Sequence, residues 1–133
     1  MKLKNAGFSL VELIIVIAIM AILIGVLAPQ YIKYVEKSRV EADRNTAESL
    51  LDAAHSMVSD EEYIGDISDN DTITFNSGGI AGSSTGISGA LEEYFSDDLA
   101  TVCPKSKSFK TKTYTVTFSQ TANGDFLVLD AWN

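Results

Sequence analysis

Residues 13–28 of this chain read LIIVIAIMAILIGVLA, sixteen consecutive residues without a polar or charged side chain. Extending the stretch back to Phe8 gives 21 residues and adds only two polar side chains, those of Ser9 and Glu12. At a rise of about 1.5 Å per residue, a helix of this length measures roughly 30 Å, the thickness of the hydrocarbon core of a bilayer. The stretch therefore predicts a membrane-spanning helix.

Charge is distributed unevenly on the two sides of this stretch. Lys2 and Lys4 precede it without any acid, whereas residues 45–133 contain four Lys and fourteen Asp or Glu. By the positive-inside rule, the basic side stays in the cytoplasm and the acidic part lies outside. A cleaved secretory signal peptide is the alternative, but the apolar core of such a peptide is usually only about 7 to 15 residues long. The candidate cleavage site, after Ala28, is also followed by Pro29, an awkward residue beside a scissile bond.

Composition limits the remaining possibilities. The chain has 133 residues, of which 46% are hydrophobic, and is expected to form a single domain. Its formal net charge of -8 argues against nucleic acid as the main partner, because neutralising phosphates needs a cationic surface. With one cysteine, Cys103, and one histidine, His55, we expect no disulfide framework, no metal site and no cofactor. Cys103 is expected to be a small buried hydrophobe.

Glu12 is a carboxylate near one end of the apolar stretch. An ionised acid inside a spanning helix costs about 2 to 3 kcal/mol, so it normally has a partner or a function. No Lys or Arg lies between Phe8 and Gln30. Two interpretations remain open: the carboxylate stays hydrated near the interface, or a cation from another molecule neutralises it.

The residues around Glu12 resemble the processing and assembly signature of type IV pilins and the related pseudopilins. Residues 4–7, KNAG, end a short basic leader, and residues 8–12, FSLVE, open the apolar helix. The resemblance implies that a prepilin peptidase cleaves after Gly7 and methylates the new amine of Phe8. It also implies that Glu12 meets the N-terminal ammonium of a neighbouring subunit in a filament.

The helix is expected to continue beyond the apolar stretch. Gly25 weakens it and Pro29 removes a backbone donor, which predicts a kink. Residues 31–58 then show the spacing of a one-sided apolar stripe. Its members are Ala47, Leu50, Leu51, Ala54, Met57 and Val58. The other face, which includes Lys33, Lys37, Arg39, Glu36, Glu41 and Asp43, is expected to be solvated or to contact parallel neighbours.

The second half of the chain predicts a small sheet. The acidic residues 59–71 are expected to form a surface loop, and the glycine-rich residues 76–89 a flexible one. Between them, residues 72–75 alternate like a short strand, and residues 90–95 predict a helical turn.

The last third of the chain predicts a hairpin. Residues 112–118 alternate Thr or Lys with Tyr, Val and Phe, and residues 126–129 are apolar. Asn123-Gly124 supplies the turn between them. The predicted fold is α+β, a long N-terminal helix with a transmembrane half and an amphipathic half packed on a small antiparallel sheet.

The expected organisation has three parts. Residues 1–7 form the prepilin leader, residues 8–58 the long helix with its transmembrane and assembly segment at 8–28, and residues 59–133 the globular head. The resemblance implies a structural subunit of a type IV pilus active in adhesion, motility or biofilm formation. The alternative is a pseudopilin of a type II secretion or competence DNA-uptake system. A membrane-anchored enzyme is not expected, because no nucleophile elbow, paired-histidine motif or nucleotide-binding loop is present.

The implied partners are further copies of the chain in a helical homopolymer, the prepilin peptidase, and the assembly ATPase with its membrane platform. Before assembly the partner of the apolar segment is membrane lipid. The implied location is a single-pass protein of the cytoplasmic membrane with a cytoplasmic N-terminus, which later becomes part of an extracellular filament.

Overall fold

The computed structural model describes residues 7–95 and 98–133. Of the predicted leader, residues 1–7, only Gly7 lies within the described residues. The described residues divide into two units, the first ending at Val35 and the second beginning at Glu36.

A single long helix, α1, runs from Leu10 to Ser59. Ser9 begins it in the manner of an N-cap, since its hydroxyl accepts a hydrogen bond from the backbone N–H of Glu12 at 3.2 Å. Pro29 lies inside this helix, which continues without interruption past it. The kink predicted at Gly25 and Pro29 stays a prediction.

The part of α1 that belongs to the second unit buries the predicted apolar stripe. Its buried apolar side chains are those of Ala47, Leu50, Ala53, Ala54 and Met57. Leu51 and Val58 pack against them and are partly buried. The stripe is therefore confirmed, with Ala53 as an additional member.

The sheet has four antiparallel strands in the order β2-β1-β3-β4. The sequence predicted three of them, and β2 is the additional strand. Their bounds are Thr72–Asn76 for β1, Gly79–Gly82 for β2, Tyr114–Gln120 for β3 and Phe126–Trp132 for β4. Strands β3 and β4 form the predicted hairpin, in which Tyr114 pairs with Trp132 at one end and Gln120 with Phe126 at the other. Gly124 adopts a positive φ of 91° in the connecting turn, as the Asn-Gly pair predicts.

The core lies between the sheet, the second half of α1 and a second helix, α2, which spans Thr85–Tyr94. Side chains alternate along the two central strands, so that one face is buried. The buried strand residues are Ile73, Phe75, Tyr114, Val116 and Phe118. The α+β fold predicted from the sequence is confirmed.

The prediction of a flexible loop over residues 76–89 is wrong. This segment contains all of β2 and the start of α2, where the Ser84 side chain caps the helix. The reason is close packing, because a Cβ on Gly86 would lie 2.6 Å from the Cβ of Asp66 and one on Gly82 would lie 2.8 Å from a methyl of Ile87. Because Gly82 and Gly86 have no side chain, neighbouring segments can pack in direct contact with them.

The acidic segment 59–71 follows α1 and is mostly exposed. It contains a short 3-10 helix over Ile64–Asp66, and Ile67 is buried in the core. Asn70 takes a positive φ of 65°, a conformation that asparagine tolerates better than most residues.

Candidate assembly surface

The apolar segment is exposed along its whole length. Every side chain of residues 8–28 is exposed, from 88% for Phe8 to 48% for Val16, the most covered of its large apolar side chains. Among the described residues, α1 is the one helix long and apolar enough to cross a membrane, with a mean hydropathy of 3.1 in its best window. No part of that window is buried.

This exposed surface needs a cover. Soluble monomers rarely expose contiguous apolar patches of more than a few hundred Å², and larger patches mark contacts with membranes or other proteins. Twenty-one residues with their side chains in water would also forfeit the transfer free energy of each large apolar group, roughly 1.5 to 3 kcal/mol per side chain. Lipid or other helices of the same kind can supply that cover.

Glu12 lies within the first turn of α1, one turn after Phe8. Within the described part of the chain, the one ion pair of a carboxylate joins Glu36 to Arg39 at 4.0 Å, so Glu12 has no cation of its own there. Ser9 and Glu12 also have the S-x-x-E spacing of a capping box. The role of Glu12 in assembly remains a prediction, as do the roles of Gly7 and Phe8.

Two other acids of α1 fix the head, and the sequence did not identify them. Asp43, predicted on the polar face, is only 2% exposed. Its carboxylate accepts hydrogen bonds from the backbone N–H groups of Lys105 and Ser106, both at 2.8 Å. Glu36, seven residues earlier, accepts one from the N–H of Lys107 at 2.5 Å. The expectation that Asp43 faces solvent or a parallel neighbour is therefore wrong.

The position of Asp43 contained a signal. It lies four residues before Ala47 and seven before Leu50, which places it on the buried side of the helix. A buried carboxylate has to find donors, and consecutive backbone N–H groups of a nearby loop are suitable ones.

The loop that Asp43 and Glu36 hold continues into an aromatic cluster. The rings of Phe109 and Trp132 stack with centroids 4.2 Å apart, and Tyr114 lies 4.9 Å from Trp132. The Tyr114 hydroxyl donates a hydrogen bond to Asp130 at 3.0 Å. Burial and this bond raise the pKa of Tyr114 above its ordinary value.

A second polar cluster joins the acidic loop to α2. The Asp71 carboxylate accepts hydrogen bonds from the N–H of Ser68 at 2.9 Å and from the hydroxyls of Ser83 and Ser84 at 2.8 and 3.1 Å. Partial burial favours the neutral acid, but these bonds prevail and lower the pKa of Asp71. Because Ser84 is the N-cap of α2, the cluster fixes the start of that helix.

A tyrosine and an acid connect the same two segments farther along. The Tyr63 hydroxyl donates a hydrogen bond to Glu93, which raises the pKa of Tyr63 to about 12.

The remaining candidate residues occupy ordinary positions. Cys103 is free and half-buried rather than buried, with its sulfur 3.5 Å from the carbonyl oxygen of Ser77. His55 is exposed and lines a shallow depression with Asp60 and Tyr94. Across residues 7–95 and 98–133, no group of three or more His, Cys, Asp or Glu is placed to hold a metal ion.

Comparison with known proteins agrees with the N-terminal signature. Residues 2–28 match the family model of the prokaryotic N-terminal methylation motif. The chain is also 33% identical over 63 residues to the type IV major pilin protein PilA of Myxococcus xanthus (strain DK1622). That match covers 47% of this chain and 29% of the length of the relative. No solved structure matches the chain.

These two matches confirm the predicted resemblance to type IV pilins. The matched methylation motif covers the apolar first part of α1. The small α+β head follows later in the chain.

Proposed function

We propose that the chain is a structural subunit of a type IV pilus. The observation that carries this proposal is the fully exposed apolar segment of α1 placed directly within a prokaryotic N-terminal methylation motif. Lipid covers such a segment, and so does a bundle of identical helices, so one chain can pass from membrane to filament.

Processing creates the charge that assembly needs. Cleavage after Gly7 gives a chain that begins at Phe8, whose amine is then methylated but remains cationic near neutral pH. In a bundle of apolar helices this ammonium lies where water is scarce, and the Glu12 carboxylate of a neighbour neutralises it. The pair fixes the register between neighbouring helices, because each charge is costly wherever it is left alone.

The proposed organisation follows from these steps. Residues 1–7 are a leader that is removed, residues 8–58 form the assembly helix, and residues 59–133 form the head on the outside of the filament. The partners are other copies of the chain, the prepilin peptidase, and the ATPase and membrane platform that drive assembly. Before assembly the chain crosses the cytoplasmic membrane once with its N-terminus in the cytoplasm, and afterwards it lies outside the cell.

A pseudopilin of a secretion or DNA-uptake system would be processed in the same way. Similarity to a protein named as a major pilin favours the long surface fibre. Mechanical shearing of whole cells distinguishes the two, because a surface pilus releases filaments rich in this chain. Absence of this chain from sheared filaments, with the processed form retained in the cell envelope, would favour the pseudopilin instead.

A further inference from the structure

The last strand, β4, forms one edge of the sheet. The strand order β2-β1-β3-β4 gives it a neighbouring strand on one side only. None of its seven side chains is buried, whereas three side chains of β3 are. No backbone hydrogen bond within the described part of the chain reaches the outer edge of β4. That edge is therefore open to a further strand.

The hydrogen bonds of the hairpin show which backbone groups of β4 point outward. Thr113 and Asn133 donate to each other's carbonyl oxygens, both at 2.9 Å, and Thr121 donates to the carbonyl oxygen of Asp125 at 2.7 Å. Bonded and unbonded pairs alternate along an antiparallel ladder, so every second residue of β4 directs its N–H and C=O away from β3. These residues are Phe126, Val128, Asp130 and Trp132.

The other edge of the sheet, strand β2, is covered. A Cβ on Gly79 would lie 2.6 Å from the carbonyl oxygen of Leu99, and the carbonyl oxygen of Gly82 accepts a hydrogen bond from the Ser88 hydroxyl at 3.4 Å. Open edges pair readily with other chains, and proteins usually block them with lysine, proline, a bulge or a covering segment. Strand β4 contains no Lys or Pro, and its register with β3 is unbroken.

The one charged side chain of β4 is that of Asp130. It lies on the face of the sheet that packs on the core, where its carboxylate accepts the hydrogen bond of the Tyr114 hydroxyl at 3.0 Å. It also lines an open groove with Arg44, Glu48 and Lys112, so charges of both signs surround it. Like charges directly opposite each other destabilise a strand pair, so Asp130 limits the registers in which a second strand can pair.

The outer face of β4 is apolar. Its side chains are those of Leu127, Leu129 and Ala131, all exposed. The exposed fractions of the two leucines are 56% and 57%. Exposed leucines on an open edge strand gain from a neighbour that carries apolar side chains on the same face.

We propose that β4 pairs with β4 of a second copy of the chain, antiparallel and about a two-fold axis at Leu129. This register pairs all seven residues of each strand. It places Leu129 opposite the partner's Leu129 and Leu127 opposite the partner's Ala131. Asp130 then lies opposite the partner's Val128. The inference uses residues of the second unit alone and does not depend on the pilus proposal.

The strand is complementary to itself in this register. Phe126 lies opposite the partner's Trp132, which gives an aromatic pair at each end of the contact. The two Asp130 carboxylates lie diagonally across the axis rather than directly opposite each other. An axis at Asp130 would place the two acids opposite each other, which is unfavourable. An axis at Val128 would leave Trp132 opposite the partner's Gly124, outside the strand.

Disulfide trapping tests this pairing directly. A contact through one strand is smaller than a standard protein interface, so covalent capture is more sensitive than the measurement of a stable dimer. The full chain carries Cys103→Ser and Leu129→Cys and is held in detergent micelles with copper phenanthroline in air as the oxidant. Cα atoms of an unbonded antiparallel pair lie about 4.5 Å apart, within the range of a disulfide. Linked dimers are quantified on a non-reducing gel.

Two other cysteine variants in the same Cys103→Ser background are matched controls. Leu127→Cys replaces an equally exposed leucine of the same face, but its two copies lie about 14 Å apart along the paired strands. Thr117→Cys lies on β3 opposite Leu129, and its two copies are three strand spacings apart, also about 14 Å. Both distances exceed what a disulfide can bridge. We expect Leu129→Cys to give at least about tenfold more linked dimer than either control.

A charge swap tests the predicted pair between Leu127 and the partner's Ala131. Added to Leu129→Cys, the changes Leu127→Asp/Ala131→Asp place two acids opposite each other and should abolish most of the linked dimer. The changes Leu127→Asp/Ala131→Lys place opposite charges there and should preserve it. All four positions of the two strands are exposed, and the Trp132 emission spectrum verifies that the variants are folded.

Equal dimer yields from Leu129→Cys, Leu127→Cys and Thr117→Cys would overturn the edge pairing and indicate association through another surface. A higher yield from either control, or equal yields from the two charge variants, would also overturn it. These outcomes do not involve Phe8 or Glu12, so each of them would leave the pilus proposal intact.

Discussion

The carboxylate of Asp43 accepts a hydrogen bond from the backbone N–H of Ser106 at 2.8 Å, across 63 residues of sequence. Both residues are buried, Ser106 completely. A second bond from the N–H of Lys105 makes the contact bidentate and charge-assisted, the stronger class of hydrogen bond. This contact joins the segment at Lys105 and Ser106 to α1.

Replacing Asp43 by alanine should destabilise the head by about 3 kcal/mol or more. The buried N–H of Ser106 and the part-buried N–H of Lys105 lose their acceptor, and an unsatisfied buried group costs about 1 to 3 kcal/mol. Urea unfolding followed by Trp132 fluorescence measures the change. Glu41→Ala, an exposed acid on the same helix, should stay within about 0.5 kcal/mol of the parent. Equal effects of the two substitutions would contradict the structural role of Asp43.

Two glycines of α2 provide a matched pair. Gly86→Ala should destabilise the head by about 2 kcal/mol, because the new methyl would meet the backbone and Cβ of Asp66 at 3.0 Å or less. Gly89→Ala should stabilise it by about 0.5 to 1 kcal/mol, since nothing lies within 4 Å and alanine favours helix. Thermal unfolding followed by circular dichroism compares the two variants. A stabilising Gly86→Ala would show that Asp66 and α2 do not pack closely.

Asp71 should make stability depend on pH in the acid range. Its pKa is lowered in the folded state, so the native chain binds this proton more weakly than the unfolded chain. The resulting stabilisation is complete above the unfolded pKa of about 3.9 and is lost as pH falls through the folded pKa.

Removing that titrating group should flatten this dependence. We expect Asp71→Asn to be less stable than the parent at pH 7 but to lose less of its stability below about pH 4. Ser83→Ala, which removes one of the three donors, should give an intermediate slope. If the stability of the parent and of Asp71→Asn changed with pH in parallel, Asp71 would not be the source of this dependence.

The charge of Glu12 can be separated from its place in the helix cap. Glu12→Ala should yield few or no filaments while membrane insertion persists, since an uncompensated charge in the bundle costs about 3 to 5 kcal/mol per interface. Glu12→Gln keeps the S-x-x-E/Q spacing of a capping box but not the charge. We therefore expect Glu12→Gln to fail as well, as seen by electron microscopy of sheared material. Normal filaments from Glu12→Gln would assign Glu12 to capping.

Periodicity in the sequence was sufficient to predict most of the fold. The stripe from Ala47 to Val58 and the alternation of Tyr114, Val116 and Phe118 both reflect burial of one face, which hydrophobic spacing records directly. The Asn123-Gly124 pair likewise encodes its turn locally.

The features that the sequence did not predict depend on contacts formed only in the folded chain. Gly82 and Gly86 look like flexible residues until Ile87 and Asp66 are placed against them. Asp43 looks like a surface acid until the N–H groups of residues 105 and 106 reach it. The spacing of Asp43 from Ala47 and Leu50 was a signal for the apolar side of α1 that the prediction did not use, and spacing carries no information about the partner.

The most direct test of the central claim is the N-terminal sequence and mass of this chain in filaments sheared from the cell surface. The proposed pairing of Glu12 with a neighbouring amine predicts a chain that begins at Phe8 and carries one additional methyl group on its α-nitrogen. A functional native product that retains residues 1–7 and remains monomeric would contradict it.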